Sequence, residues 1–230
     1  FDRFETAGPG FINFFLGTEF YSAVIREILA NPEAYGRSEY GRDEKVMVEF
    51  VSANPTGPMH MGNARGGALG DCLAAVLDKA GYNAWREFYV NDAGNQIEKF
   101  GCSLEARYLQ IFKGDEIEFP EDGYQGEDIK DLAKEYADLN GDSLVNVSAE
   151  ERKKALVDYA LPKNIKKMQA DMEKYKIFYD KWFFESELHK SGAVKAVVDL
   201  LTEKGLTYEK DGAVWYKNKE VLTQKLLKEG

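Results

Sequence analysis

The sequence predicts an α/β fold built on a parallel sheet, and three features carry that expectation. Val46-Met47-Val48-Glu49-Phe50-Val51 reads as one strand, and Trp85 to Val90 as a second. Between them runs a helix with apolar residues at Leu69, Cys72, Leu73, Val76, Leu77 and Ala80, closed by Gly81 as its C-cap. Strand, helix and strand make a βαβ unit, which implies parallel strands and a right-handed crossover. Ligands of such sheets bind outside the carboxyl ends of the strands, and Asn54 and Asn91-Asp92 both fall at that edge.

The elements follow in order. Residues 1–17 read as a Phe-rich strand remnant whose Phe11, Phe14 and Phe15 are expected to pack as core. Residues 18–34 read as a helix, with Phe20, Val24, Ile25, Ile28 and Leu29 at helical spacing and Asn31-Pro32 in its last turn. The βαβ unit occupies residues 46–101. Residues 102–176 interrupt the sheet as a helical, acidic segment with a loop from Lys113 to Gly126. Residues 177–186 return to the sheet. A further insertion starts near His189, itself expected at the surface. It holds a helix at 191–204 and two runs, Leu206 to Glu209 and Ala213 to Tyr216, around the hairpin signal Lys210-Asp211-Gly212. No internal repeat and no low-complexity linker is evident.

The connection between the first strand and its helix has the layout of a phosphate site. The turn-forming Asn54-Pro55-Thr56-Gly57-Pro58 leads into His60 and then into Gly62, Gly66, Gly67 and Gly70. Unpaired N–H groups and the positive end of the helix dipole point at a ligand there. Each glycine costs roughly 0.5–1 kcal/mol of helix stability relative to Ala. Four of them call for the close approach of a flat ligand or of another backbone, and the glycines alone do not choose between these. A histidine beside the helix-start amides can donate to a phosphate oxygen.

His60-Met61-Gly62-Asn63 resembles the first signature, HIGH, of class I aminoacyl-tRNA synthetases. The flanking Val48-Glu49-Phe50-Val51-Ser52-Ala53-Asn54-Pro55-Thr56-Gly57-Pro58 is similar to the arginyl-tRNA synthetase family in particular. So are Ala7 to Leu16, at the end of that family's N-terminal domain, Tyr89 to Ile97 after its second strand, and Tyr179 to Ser186 on a later strand bordering the amino-acid pocket. The resemblance runs essentially end to end. It implies a HIGH-containing Rossmann-like nucleotide-binding fold interrupted by helical and hairpin-containing insertions. The expected division is 1–17 as part of the N-terminal domain, 18–101 as the first half of the catalytic domain, 102–176 as a helical insertion, 177–188 as the return to the sheet, and 189–230 as a second insertion.

The resemblance also implies a chemistry. A carboxylate attacks the α-phosphorus of ATP and pyrophosphate leaves, so catalysis is positioning plus charge stabilisation. His60 and Asn63 are the implied catalytic residues, with Pro58, His60, Gly62, Asn63 and Gly66 binding ATP. Mg²⁺ is expected on the ATP phosphates rather than on a protein metal site. An arginine substrate calls for carboxylates, because a guanidinium pairs with them in a forked geometry. Glu49 on the first strand and Glu185 on the returning strand match pocket positions, with Ser52, Asn54 and His60 beside them. Without the resemblance, Glu49 reads as an exposed strand residue and Glu185 as a helix N-terminal acid. Asn91, Asp92 and Arg65 are secondary candidates; Arg65 could meet phosphate or the tRNA end, or pair with Asp71.

Two departures from the family pattern stand out. Asn63 occupies a position where the family usually has histidine, which implies a weakened or re-routed phosphate contact. A lysine-rich KMSKS-type loop does not occur in these residues. The chain is therefore expected to be a fragment lacking that loop and the C-terminal anticodon-binding domain, and inactive in isolation. The implied partners are arginine, ATP and tRNA(Arg), for a cytoplasmic monomer with no membrane association. A different class I amino-acid specificity, or a non-catalytic nucleotide- or amino-acid-binding regulator of the same descent, are the alternatives.

Composition bounds these readings. At 230 residues, 44% hydrophobic and 30% charged, the chain can bury a substantial core and a smaller module. No run approaches the ~18 consecutive apolar residues of a membrane span. The formal net charge of −10 is not the basic footprint of a nucleic-acid binder. Lys163-Asn164-Ile165-Lys166-Lys167 reads as a solvated helix face rather than a phosphate patch. Cys72 and Cys102 lack metal-like spacing and are expected to be reduced packing residues, and two histidines with two cysteines argue against a zinc site.

Overall fold

The computed structural model describes residues 1–229, and the side chains of 1–114 and 116–223. By backbone contacts the chain divides into two compact units, residues 1–48 with 72–85, and residues 49–71 with 86–230.

The first unit opens with an antiparallel ribbon of β1 (Arg3–Ala7) and β2 (Phe11–Phe15), in which Arg3 stands opposite Phe15 and Ala7 opposite Phe11. The core expected from its phenylalanines does not form. Phe11 is 69% and Phe14 57% exposed, because a two-stranded ribbon has no second layer of its own to cover them. Phe15 is half-buried under the Arg3 guanidinium, 4.1 Å from the ring centre. Helix α1 (Thr18–Ala30) is capped by Asn31 and stops before Pro32, short of the expected end at residue 34, and buries none of its residues.

The sheet that frames the site has three strands in the order β3-β4-β5, from β3 (Lys45–Glu49), β4 (Asn83–Val90) and β5 (Lys181–Phe184). β4 and β5 are parallel, with Tyr89 beside Phe183 and Val90 beside Phe184. Helix α2 (Met61–Lys79) connects β3 to β4. Its buried stripe is not the large apolar set the periodicity selects. Leu69, Cys72, Leu73 and Val76 are exposed, and Leu77 and Ala80 half-buried. Small residues face inward instead: a Cβ on Gly70 would lie 2.2 Å from the Phe50 ring, and one on Gly67 2.9 Å from Ile177. At Gly70 the helix lies too close to Phe50 for any side chain, whereas at Gly67 a methyl would displace only the tip of Ile177. The same inversion leaves Cys72 exposed rather than packed; Cys72 and Cys102 are both free thiols.

Aromatic residues fill the space around the strands. Phe88 stacks on Trp182 at 4.2 Å, and Tyr179 lies 4.7 Å from Phe50 and edge-on to Phe88. Arg86 Nε pairs with Asp71 at 3.1 Å, and the Arg86 N–H donates to Asp180 at 2.7 Å. Asp71 is thereby engaged by Arg86 and not by Arg65.

The helical segment comprises α3 (Asn95–Lys113), which begins ahead of the expected insertion start at 102 and runs across it, α4 (Glu127–Asn140) and α5 (Ala149–Lys174), with the loop between α3 and α4 where the sequence places it. Phe100, Leu104, Tyr108, Ile129, Ala133 and Leu156 form its core. Arg152 threads that core, bound to Glu105 at 2.6 Å and to three backbone carbonyls. Lys163, Lys166 and Lys167 lie exposed on α5, with Lys163 paired to Glu135, while Asn164 turns inward. After β5 come α6 (Glu185–Lys190), α7 (Ala193–Glu203), the antiparallel β6 (Thr207–Lys210) and β7 (Ala213–Tyr216), and α8 (Asn218–Glu229). Asp211 and Gly212, at φ +53° and +75°, make the tight turn the sequence signals. Residue 230 of the expected second insertion lies outside the described residues. Among the described residues no helix is long and apolar enough to cross a membrane.

Candidate functional site

The carboxyl end of β3 turns abruptly. Val51 and Ser52 follow each other in the left-handed region, at φ +69° and +41°. A β-branched residue there is a backbone outlier, costing on the order of 1–3 kcal/mol. The turn brings Ser52 Oγ to accept from the Tyr89 N–H at 3.2 Å, and lets the chain run into Asn54-Pro55-Thr56 with Pro55 and Thr56 buried.

His60 then stands at the N-cap of α2, and two reciprocal bonds close the helix start. The Gly62 N–H donates to His60 Nδ1 at 3.1 Å, and the His60 N–H donates to Asn63 Oδ1 at 3.0 Å. This is a variant of the capping box, with histidine in place of Ser or Thr and asparagine in place of Glu or Gln, the histidine accepting from the second helical N–H rather than the third. It gives Asn63 a role the sequence does not reveal, since its Oδ1 is spent on the backbone and its Nδ2 hydrogens remain. The open glycine is Gly66, where a Cβ would meet nothing within 4 Å; at Gly62 it would meet the His60 ring at 2.9 Å. Of the four glycines, Gly67 and Gly70 are accounted for by packing, and Gly66 leaves room for a ligand.

A cavity of about 370 Å³ opens beside this turn, lined among others by Asn54, Pro58, His60, Asn63 and Tyr124. A larger one of about 650 Å³ shares Met59 and His60 with it and is walled by Met172 and Tyr175. His60 borders both.

The second half of the site is acidic. The Tyr89 hydroxyl is hydrogen-bonded to the Glu185 carboxylate; burial, then the charges of Glu185, Asp92 and Glu49, hold this phenol above its ordinary range. The Tyr89 ring stacks on Phe183 at 5.7 Å. Asp92 Oδ1 accepts the Ser186 N–H at 2.8 Å, capping the first turn of α6. Glu185 is not on the returning strand, where the resemblance puts it, but takes the place of a helix N-terminal acid that its neighbours suggest. β5 stops at Phe184, and Glu185 opens α6, where its carboxylate faces the helix's positive end. His189, one turn on and exposed as expected, lies 3.6 Å from Glu185.

The structure thus brings Asp92 to the start of α6 beside Glu185, and Asn54, Pro58, His60 and Asn63 around one cavity, with Ser52 tied to Tyr89; Glu49 lies exposed at the end of β3, as its strand pattern expects, and contributes only its charge. Asn91 is half-buried next to Asp92. Arg65 is exposed and makes no ion pair among the described residues. Tyr89 and Tyr124 belong to the site and escape sequence reasoning. Tyr89 shows no sign beyond its place in a resembling segment, and Tyr124 lies in an insertion loop. No group of three His, Cys, Asp or Glu side chains with metal-holding geometry occurs among the described residues.

Comparison with known proteins adds three findings. The family model for tRNA synthetases class I (R), catalytic domain, matches residues 24–219. An arginine–tRNA ligase of Acetivibrio thermocellus is 62% identical over 217 residues, covering 94% of this chain and 38% of that protein. One of Ruminiclostridium cellulolyticum is 57% identical, covering 97% of this chain and 40% of that protein. A crystal structure from Campylobacter jejuni, assigned there as an arginyl-tRNA synthetase, superposes with a TM-score of 0.72 at 34% identity, covering 89% of this chain and 44% of that one. The chain spans about two fifths of the length of these curated relatives.

Proposed function

We propose, for a chain that belongs to the family of class I tRNA synthetases (R), catalytic domain, that the intact protein is an arginine–tRNA ligase. It joins arginine to AMP at the expense of ATP and passes the arginyl group to tRNA(Arg). The observations that carry this reading are the family match over residues 24–219 and the Glu185 carboxylate placed at the start of α6, beside Tyr89 and next to the Ser186 N–H that Asp92 accepts. A guanidinium is recognised by carboxylates in a forked geometry, and a neutral amino acid would leave those charges without a counterpart.

The resemblance and the placement of these side chains support the following roles. Glu185 and Glu49 take the guanidinium, with Asp92 setting the position of Glu185 by capping α6. Ser52, Asn54 and His60 hold the amino-acid end. Pro58, His60, Gly62, Asn63 and Gly66 form the ATP side, where His60 donates from Nε2 to a phosphate oxygen and Asn63 donates from Nδ2. Such donors act by being fixed before charge develops. The residues of this cavity fit a nucleotide phosphate, since they offer neutral donors and no carboxylate. Mg²⁺ enters with ATP, held mainly by its phosphates. Arg65, exposed one turn into α2, is available to phosphate or to the tRNA end.

The domain division at 17, 101, 176 and 188, a monomeric state and a cytoplasmic location complete the proposal. Its test is Glu185→Gln in the intact protein, assayed by pyrophosphate exchange. The Michaelis constant for arginine rises more than that for ATP; equal effects on both would refute a pocket role for Glu185.

A further inference from the structure

The helical insertion touches the phosphate loop at three points. Asn164 of α5, buried, donates to the Pro55 carbonyl at 3.0 Å. Asp128 of α4 lies against Gly57, where a Cβ would stand 3.4 Å from its carboxylate. The third point is Tyr124, from the loop between α3 and α4, which lines the cavity shared by Asn54, Pro58, His60 and Asn63.

Tyr124 is held from several sides. Its N–H donates to Ser103 Oγ at 2.9 Å, and Ser103 in turn donates to the Lys99 carbonyl at 2.7 Å. Its hydroxyl donates to Gln96 Oε1 at 2.5 Å, and its ring meets Phe100 edge-on at 6.4 Å. Fixing a loop side chain this way costs rotamer freedom, and it leaves a rigid aromatic wall facing the neutral donors of His60 and Asn63. No acidic side chain is among those lining this cavity, Asp128 standing behind Gly57, whereas the Tyr89 phenol feels the charges of Glu185, Asp92 and Glu49. An anionic ligand suits the first place and a cationic one the second.

We infer that Tyr124 is a nucleotide-binding residue supplied by the insertion, its ring walling the ribose–triphosphate part of ATP opposite His60. This rests on the reading that the site activates an amino acid with ATP. Tyr124→Ala in the intact protein raises the Kd for ATP in calorimetric titration, and the KM for ATP in pyrophosphate exchange, by about 2- to 10-fold, the size of one aromatic contact. The KM for arginine stays put. Tyr124→Phe, which keeps the ring and loses the bond to Gln96, remains within about twofold of the parent. Phe112→Ala, which removes an insertion ring that packs on Tyr108 at 5.2 Å and does not line the cavity, leaves ATP binding unchanged.

Unchanged ATP constants in Tyr124→Ala would overturn the inference. So would an equal shift in Phe112→Ala, which would mean general loosening. Tyr124-dependent ATP titration without arginine-dependent exchange in the parent would sink the arginine reading and leave the nucleotide wall standing. A parent that binds no ATP would remove both.

Discussion

The Gly62 N–H donates to Nδ1 of His60 at 3.1 Å, so this imidazole keeps its proton on Nε2 when neutral. The helix start selects the tautomer, and with it the one ring hydrogen free to meet a phosphate. His60 and His189 are the two histidines of the chain. A long-range proton–nitrogen correlation spectrum at about pH 8, where an ordinary imidazole is neutral, will show His60 with an unprotonated Nδ1. A proton on Nδ1 would contradict the capping geometry. In the intact protein, His60→Ala is expected to add roughly 2–4 kcal/mol to the activation barrier; unchanged pyrophosphate exchange would remove His60 from the mechanism.

Asn63 acts on the fold before it acts on any ligand. Asn63→Ala deprives the His60 N–H of its acceptor and should cost about 0.5–2 kcal/mol in urea unfolding. Asn63→Asp keeps an acceptor at the positive end of α2 and should hold stability near the parent. A neutral Asn63→Ala would mean the box contributes nothing.

Two glycines of α2 should part company. Gly70→Ala forces a methyl to within 2.2 Å of Phe50 and should destabilise by about 1–3 kcal/mol. Gly66→Ala meets open space and should stabilise by roughly 0.5–1 kcal/mol, while weakening ATP binding if the nucleotide approaches that backbone. Thermal melts with and without MgATP separate the two effects.

Tyr179 predicts an alkaline limit. Burial, then the charge of Asp71, pushes its phenol well above the ordinary tyrosine range, and its hydroxyl donates to the Phe50 carbonyl at 3.3 Å. A phenol whose folded pKa is raised adds stability that is complete below the unfolded value, about 10, and is lost as pH climbs through the folded value. Urea midpoints should therefore stay flat below about pH 9 and fall above about pH 10. Tyr179→Phe should start lower by about 1 kcal/mol and fall less. An equal fall in both proteins would assign the alkaline loss elsewhere.

Much of this was legible in the sequence, for reasons that differ by element. The βαβ order, the insertion loop near Pro120 and the Asp211-Gly212 turn follow from local chemistry that tertiary contacts leave alone. The burial of α2 does not, because periodicity weighs side-chain size, and the approach of the helix to Phe50 and Ile177 requires small residues at Gly67 and Gly70. The exposed Phe11 and Phe14 fail similarly: apolar character indicates what would be buried given a second layer, and a two-stranded ribbon has none. Glu185 opens α6 rather than extending β5, and the Asp92 side chain that accepts the Ser186 N–H there is distant in sequence and so invisible to a local reading. The left-handed Val51 and Ser52 gave no sign, since neither residue type favours that backbone.

The central claim is the substrate. The most direct test offers the intact protein ATP, total tRNA and each amino acid in turn, and follows aminoacylation. Charging with arginine alone, lost when Glu49 and Glu185 are both changed to glutamine, is the predicted result. Charging with another amino acid, or none from a folded protein, would contradict the assignment of the carboxylates around Tyr89 to a guanidinium.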